Sequence, residues 1–315
     1  MKYNGHGIIS RRSLLASVGL SAMSTPNWAA PDKQSNTFKL KYMLASCMYG
    51  KLDVRECIAQ VAKIKASCID LWPPSHGDQR FQIDSIGHDH YVKACVDAHV
   101  KPQMTTRYDL GPFGLTDEIN VVKQLGGKMI VCGSTGRREG SLKKQVSDFL
   151  KKMEPSVAIA EKAGIVIAIE NHSNALIHSA DSLMYFADLN QSAHLGIALA
   201  PYHLPQDSRV IGNLIKHCNK NIVHFYAWEH GLGCHRKMPK AHELMQLPGF
   251  GTLDFAPILA ALRDIDYRGW TEIFMHPTPR GIPIMPSVAE CNSVINKSRE
   301  YLTRCILRMQ PGRNS

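Results

Sequence analysis

From residue 38 onward, short apolar runs alternate with longer amphipathic ones. Lys41–Met48 reads as a strand, and Val54–Ala66 as a helix with apolar residues near i, i+3, i+4 and i+7. The alternation continues to the end of the chain. Further strands are predicted at Cys68–Trp72, Lys101–Thr106, Lys128–Cys132, Ile165–Ile169, Leu195–Leu199, Ile222–Tyr226 and Gly269–Phe274. The helices between and after them are predicted at His90–Ala98, Thr116–Leu125, Lys143–Lys162, Ala180–Leu189, Arg209–His217, Phe255–Leu262 and Val288–Leu307. The strands are short and rich in Ile and Val, as expected when both faces are buried in a parallel sheet. Gly126-Gly127, Gly164 and Gly269 fall between a helix and the next strand, where helix C-caps are needed.

Eight strand–helix units in succession predict an α/β fold, a single (β/α)8 TIM barrel over residues 38–310. The alternative is a doubly wound open sheet, but no glycine-rich phosphate loop recommends it. No domain linker interrupts the pattern. The stretch Glu229–Gly251, after the seventh strand, is the main insertion and is expected to be a loop over the site.

Composition narrows this picture without changing it. The chain has 315 residues, 44% hydrophobic and 20% charged, an ordinary globular balance. No run of about 18 apolar residues occurs outside the N-terminus, so no membrane span is expected. The formal charge is +10; without Lys2, Arg11 and Arg12 the bases fall from 37 to 34 against 27 acids, or +7. The remaining bases are scattered, which argues for a solvated face and against a nucleic-acid partner. Ser10-Arg11-Arg12-Ser13-Leu14-Leu15 precedes a weakly apolar stretch ending near Met23. It resembles a twin-arginine export signal, assigned to residues 1–30, and implies an exported or periplasmic protein. The alternative is an amphipathic helix. There are nine cysteines and no C-x-x-C, and most lie in apolar segments. Buried free thiols are expected rather than a disulfide framework.

Active sites of such barrels lie at the C-terminal ends of the strands. Strand two ends at Asp70-Leu71-Trp72, strand three at Thr106-Arg107-Tyr108-Asp109, and strand five at Glu170-Asn171-His172. Strand six ends at Ala200-Pro201-Tyr202-His203; strand seven carries His224, then Trp228-Glu229-His230; strand eight carries Glu272, then His276. A carboxylate placed directly after an apolar run is costly to bury unless it is paired or bound to a metal. Glu170, His224 and Glu272 would suit a divalent ion such as Mn, Mg, Co or Zn. The competing reading makes each a structural rim residue in a hydrogen-bond network.

At these residues the sequence resembles the sugar phosphate isomerase/epimerase family of xylose-isomerase-like barrels, to which endonuclease-IV-like barrels are related. The carriers are Ile169-Glu170-Asn171-His172, His224, and Gly249-Phe-Gly-Thr-Leu-Asp-Phe255 ahead of Tyr267-Arg-Gly-Trp-Thr-Glu272. The resemblance implies one metal held by Glu, Asp, His and Glu from strands five to eight. Glu170, His224 and Glu272 match three of these, but Ala200 stands where the aspartate is expected, leaving His203 or a water to supply a fourth ligand. It also implies that Glu170 and Glu272 are the acid/base pair of an epimerase. His203 and His230 would then contact substrate hydroxyls, and Trp72, Tyr108 and Trp228 would stack on a sugar face. A small carbohydrate is the implied substrate. A lyase or hydrolase cleaving keto-glycosides by β-elimination, and a non-catalytic sugar-binding barrel that has lost its metal, remain as alternatives. A homo-oligomer also stays open.

Overall fold

The structure, a computed structural model, describes residues 38–136, 139–230 and 239–309. The expected export signal and Cys234 lie outside the described residues. Eight parallel strands close into a barrel in sequence order: β1 Lys41–Ala45, β2 Cys68–Leu71, β3 Lys101–Thr106, β4 Met129–Cys132, β5 Val166–Glu170, β6 Leu195–Leu199, β7 Ile222–Ala227 and β8 Trp270–Ile273. Closure runs through β1, which pairs with β2 on one side and β8 on the other. The single predicted barrel is therefore the fold.

Nine helices are described: α1 Val54–Val61, α2 Gln79–Ile86, α3 His88–Asp97, α4 Thr116–Leu125, α5 Leu142–Ala163, α6 Ala180–Leu189, α7 Ser208–Cys218, α8 Phe255–Asp264 and α9 Val288–Arg308. Their starts follow elementary capping chemistry. The Asp207 carboxylate accepts from the backbone N–H of Arg209 and Val210, and Ser287 forms a reciprocal capping box with Glu290. Gly126 and Gly164 end α4 and α5 in the left-handed conformation, with φ of 80° and 68°.

Three departures have physical reasons. Predicted strand one stops at Ala45, and Ser46–Met48 turns into a 3-10 element. Helix α2 escapes an apolar-periodicity reading because its buried residues are Gln79, Arg80 and Ile83. Gly269 is not a C-cap; a side-chain carbon there would strike the Val223 carbonyl and Tyr267.

Eight cysteines are described, and all are free and buried. Among the described residues, no helix is long and apolar enough to cross a membrane. The insertion after β7 contains a 3-10 element, Lys240–Gln246, that packs against the strand ends. The Gln246 amide donates to the His276 carbonyl at 2.9 Å, and its Oε1 accepts from the Trp228 indole at 3.0 Å.

Candidate active site at the mouth of the barrel

Glu170 is the last residue of β5, and every residue of that strand is buried. The Tyr108 hydroxyl, from the turn after β3, donates to Glu170 Oε2. His203 Nε2 lies 3.7 Å from Oε1. Burial pushes the Glu170 carboxyl up to about 7, while the Tyr108 hydroxyl and the Arg280 charge pull it down.

Glu272 is fully buried on β8, and Asp70 is fully buried on β2. Their strands flank β1, and the two buried carboxyls lie near enough for each to shift the titration of the other. Asp70 Oδ2 accepts from the Thr106 hydroxyl at 2.6 Å. Burial raises Asp70 to about 7. Glu272 is raised well above the usual carboxylate range by burial first, then by the Asp70 charge, and more weakly by Glu170. Two adjacent buried carboxyls resist double ionisation, so the pair holds a proton at neutral pH.

Strand register separates His224 from this group. Tyr226 lies level with Glu272 across β7 and β8, whereas His224 lies level with Trp270, two residues deeper along the strand. The His224 ring packs edge-on to Tyr226, with centroids 4.5 Å apart. Burial lowers the imidazole to about 3, so it is neutral. Ala200 brings no donor side chain, and its backbone is taken by Asn171, which accepts from its N–H at 2.8 Å and donates to its carbonyl at 3.0 Å. Among the described residues, no three His, Cys, Asp or Glu side chains form a group that could hold a metal ion. The donor set Glu170, His203, His224 and Glu272 is thus not brought to one point. The residues present do not fit the divalent centre that the resemblance implies.

The aromatic residues expected to meet a sugar are largely engaged with one another. Trp72 and Trp228 are each 1% exposed. Trp72 stacks on Phe274 at 4.9 Å, and Trp228 stacks on Tyr202 at 3.7 Å. One face of each indole is therefore covered by protein, and both rings wall the mouth. Tyr108 is half-buried and turned to Glu170. His203, also half-buried, packs against His172 at 4.2 Å and Trp228 at 5.2 Å. His230 sits at the rim, 5.8 Å from the Tyr202 ring. His76 and His276, 4.7 Å apart, complete the ring of imidazoles.

Asp70 and Glu229 stand among the strand-end residues of the sequence without a role assigned to them, and Tyr226 is not among the expected site residues. Asp70 carried the same signal as Glu272, an acid inside an apolar run. Glu229 is 1% exposed and has a supporting role: its Oε2 accepts from the Leu253 N–H at 2.7 Å. The Gly251 and Thr252 N–H groups also support its charge, while burial pushes it up to about 7. Gly251 is needed because a side-chain carbon there would collide with Glu229 and the Met245 carbonyl. The glycine-containing stretch ahead of α8 is therefore a cradle for a buried carboxyl.

Comparison with known proteins agrees with this geometry at the level of the fold. The described barrel superposes on D-psicose 3-epimerase from Clostridium cellulolyticum with a TM-score of 0.64 at 17% identity, covering 85% of this chain and 99% of that one. The 3-keto-D-glucoside 4-epimerase of E. coli gives a TM-score of 0.60 at 14% identity, covering 85% and 99%. The IOLI protein, solved with a bound zinc atom, gives 0.63 at 13% identity, covering 87% and 100%. No curated protein matches by sequence. A family profile described as xylose isomerase-like TIM barrel matches residues 58–289, most of the chain, and the protein belongs to that family.

Proposed function

We propose that the mouth is a proton-transfer site for a small carbohydrate, making the protein a sugar isomerase or epimerase in which Glu170 and Glu272 are the acid/base pair. The observation that carries this reading is the pair of buried carboxyls on separate strands, both raised by burial toward or beyond neutrality. A carboxyl poised near 7 can take a proton from the carbon beside a carbonyl and return it to the neighbouring carbon, or the second carboxyl can deliver a proton to the other face. A solvated carboxylate is a weaker base for that step. The Tyr108 hydroxyl orients Glu170, and Asp70 keeps a proton available to Glu272. Because the donors do not fit a metal, no step is assigned to one. The epimerase names among the structural neighbours, which include a keto-glucoside enzyme, favour a keto-sugar or keto-glycoside. With the paired arginines near the N-terminus, such a substrate would be met outside the cytoplasm.

The test is proton NMR in D2O with a panel of keto-sugars and keto-glycosides. Deuterium entering the carbon beside the carbonyl, with every glycosidic bond retained, supports the epimerase. Bond cleavage would move the assignment to a β-eliminating lyase at the same site. A folded protein that exchanges no proton in any member of the panel overturns the proposal.

A further inference from the structure

We infer that Tyr226 and Ala200 exclude a divalent metal from this mouth, leaving tyrosine hydroxyls as the donors that face the carboxyls. Residues paired across adjacent parallel strands point the same way, and Tyr226, not His224, is paired with Glu272. Tyr226 is fully buried, so its ring occupies the space beside Glu272. His224 packs against that ring from two residues deeper in the strand. An imidazole ligand is therefore displaced from the carboxyls by a phenol. A phenol is protonated at neutral pH and donates a hydrogen bond rather than a metal-binding lone pair.

The adjoining strands close the remaining routes. Glu170 is paired with Ala198 on β6, and the next inward position on that strand is Ala200, whose side chain offers no oxygen or nitrogen. Asn171 uses both backbone groups of Ala200, so the main chain there is committed as well. Two of the three carboxyls are engaged by neutral donors, while both Glu272 oxygens are buried without a hydrogen-bond partner. Tyr108 donates to Glu170 and Thr106 donates to Asp70. The Tyr226 hydroxyl is buried without a hydrogen-bond partner and lies within the field of Glu272 and Glu170, so it is a second phenolic donor available at the mouth. Such a network favours an enolate-like oxygen held by hydroxyl donors, the arrangement of an oxyanion site.

The experiment is calorimetric titration of the purified full chain with Mn, Co and Zn chlorides, with melting temperature followed in parallel. It is run on wild type, Tyr226→His, Ala200→Asp and the double variant. The expected result is no saturable binding and no melting shift in wild type. The double variant should bind one equivalent, at least about 10-fold tighter than any wild-type signal, and melt higher with metal. Stoichiometric binding by wild type overturns the inference. Failure of a folded double variant to bind also overturns it, because exclusion would then lie elsewhere. Melting without metal establishes folding; if the double variant does not fold, Tyr226→His alone is read by the same criteria. Metal binding is measured without substrate, so its outcome stands apart from the proton-transfer reading.

Discussion

Asp70 and Glu272 bring their carboxyls together from β2 and β8, across the one strand that separates them. Barrel closure makes that meeting possible, since an open sheet would leave the two strands at opposite edges. Asp70 is raised from 3.8 to about 7, chiefly by burial. An acid whose pKa is higher in the folded state loses stability as pH climbs from the unfolded value through the folded one. The protein should therefore be less stable at pH 8 than at pH 5. Asp70→Asn keeps the acceptor for Thr106 and can donate to Glu272. It should raise stability at pH 8 by on the order of 2 kcal/mol and change little near pH 4. Urea unfolding at the two pH values checks this, and an unchanged difference between them would count against the pairing.

Tyr108 and Glu170 make the second prediction. Glu170→Gln should lower proton exchange by about 10²- to 10⁴-fold without unfolding the barrel, and Glu272→Gln should do the same. Tyr108→Phe removes a hydrogen bond that lowers the Glu170 pKa. The limb of the pH–rate profile that reports this carboxyl should then move to higher pH. A profile that stays in place while the rate falls would show that Tyr108 acts on something other than Glu170.

Much of the fold was legible because most strands are apolar runs and most helices have a clear apolar stripe. The ranges of β3, α4, α6 and β6 agree residue for residue with the pattern. Helix α2 was not legible, because it buries Arg80 against Glu118 rather than an apolar stripe. At the site, Glu170 and Glu272 could be found from the cost of burying a carboxylate. The depth of His224 could not, since it is set by the β7–β8 pairing, which puts Tyr226 rather than His224 level with Glu272. The Asp70–Glu272 contact needs closure of the barrel, which links residues far apart in the chain. The stacking partners of Trp72 and Trp228 likewise come from other strand ends.

Gly251 supplies a prediction about the cradle before α8. A methyl group there meets Glu229 and a backbone carbonyl, and neither can retreat from a buried position. Gly251→Ala should destabilise the protein by about 2 kcal/mol or more. Glu229→Gln should flatten the pH dependence of stability, because the wild-type carboxyl is raised from 4.5 to about 7 and stability is lost as pH climbs through that window. Melting curves of both variants across pH 5 to pH 8 test the pair. An unaltered Gly251→Ala melting point would mean that the loop yields.

Glu118 ties the site to the outer layer of helices. From α4 it accepts from Arg80 Nε and Nη2, both at 2.8 Å, and from Arg107 Nη1. It is 2% exposed, with Arg80 at 4% and Arg107 at 7%. Arg107 also grips Asp109 at 2.8 Å, so the residues on either side of Tyr108 are held by one guanidinium. Removing the carboxylate leaves Arg80 and Arg107 with only the more exposed acids Asp84 and Asp109, and loss of the one buried partner costs about 3 kcal/mol. Glu118→Gln should therefore lower the urea midpoint markedly. Because Arg107 positions the turn that carries Tyr108, the same variant should also lose proton exchange under conditions where it remains folded. A midpoint close to wild type would show that water reaches the cluster. A normal exchange rate in the folded variant would show that Tyr108 holds its place without Arg107.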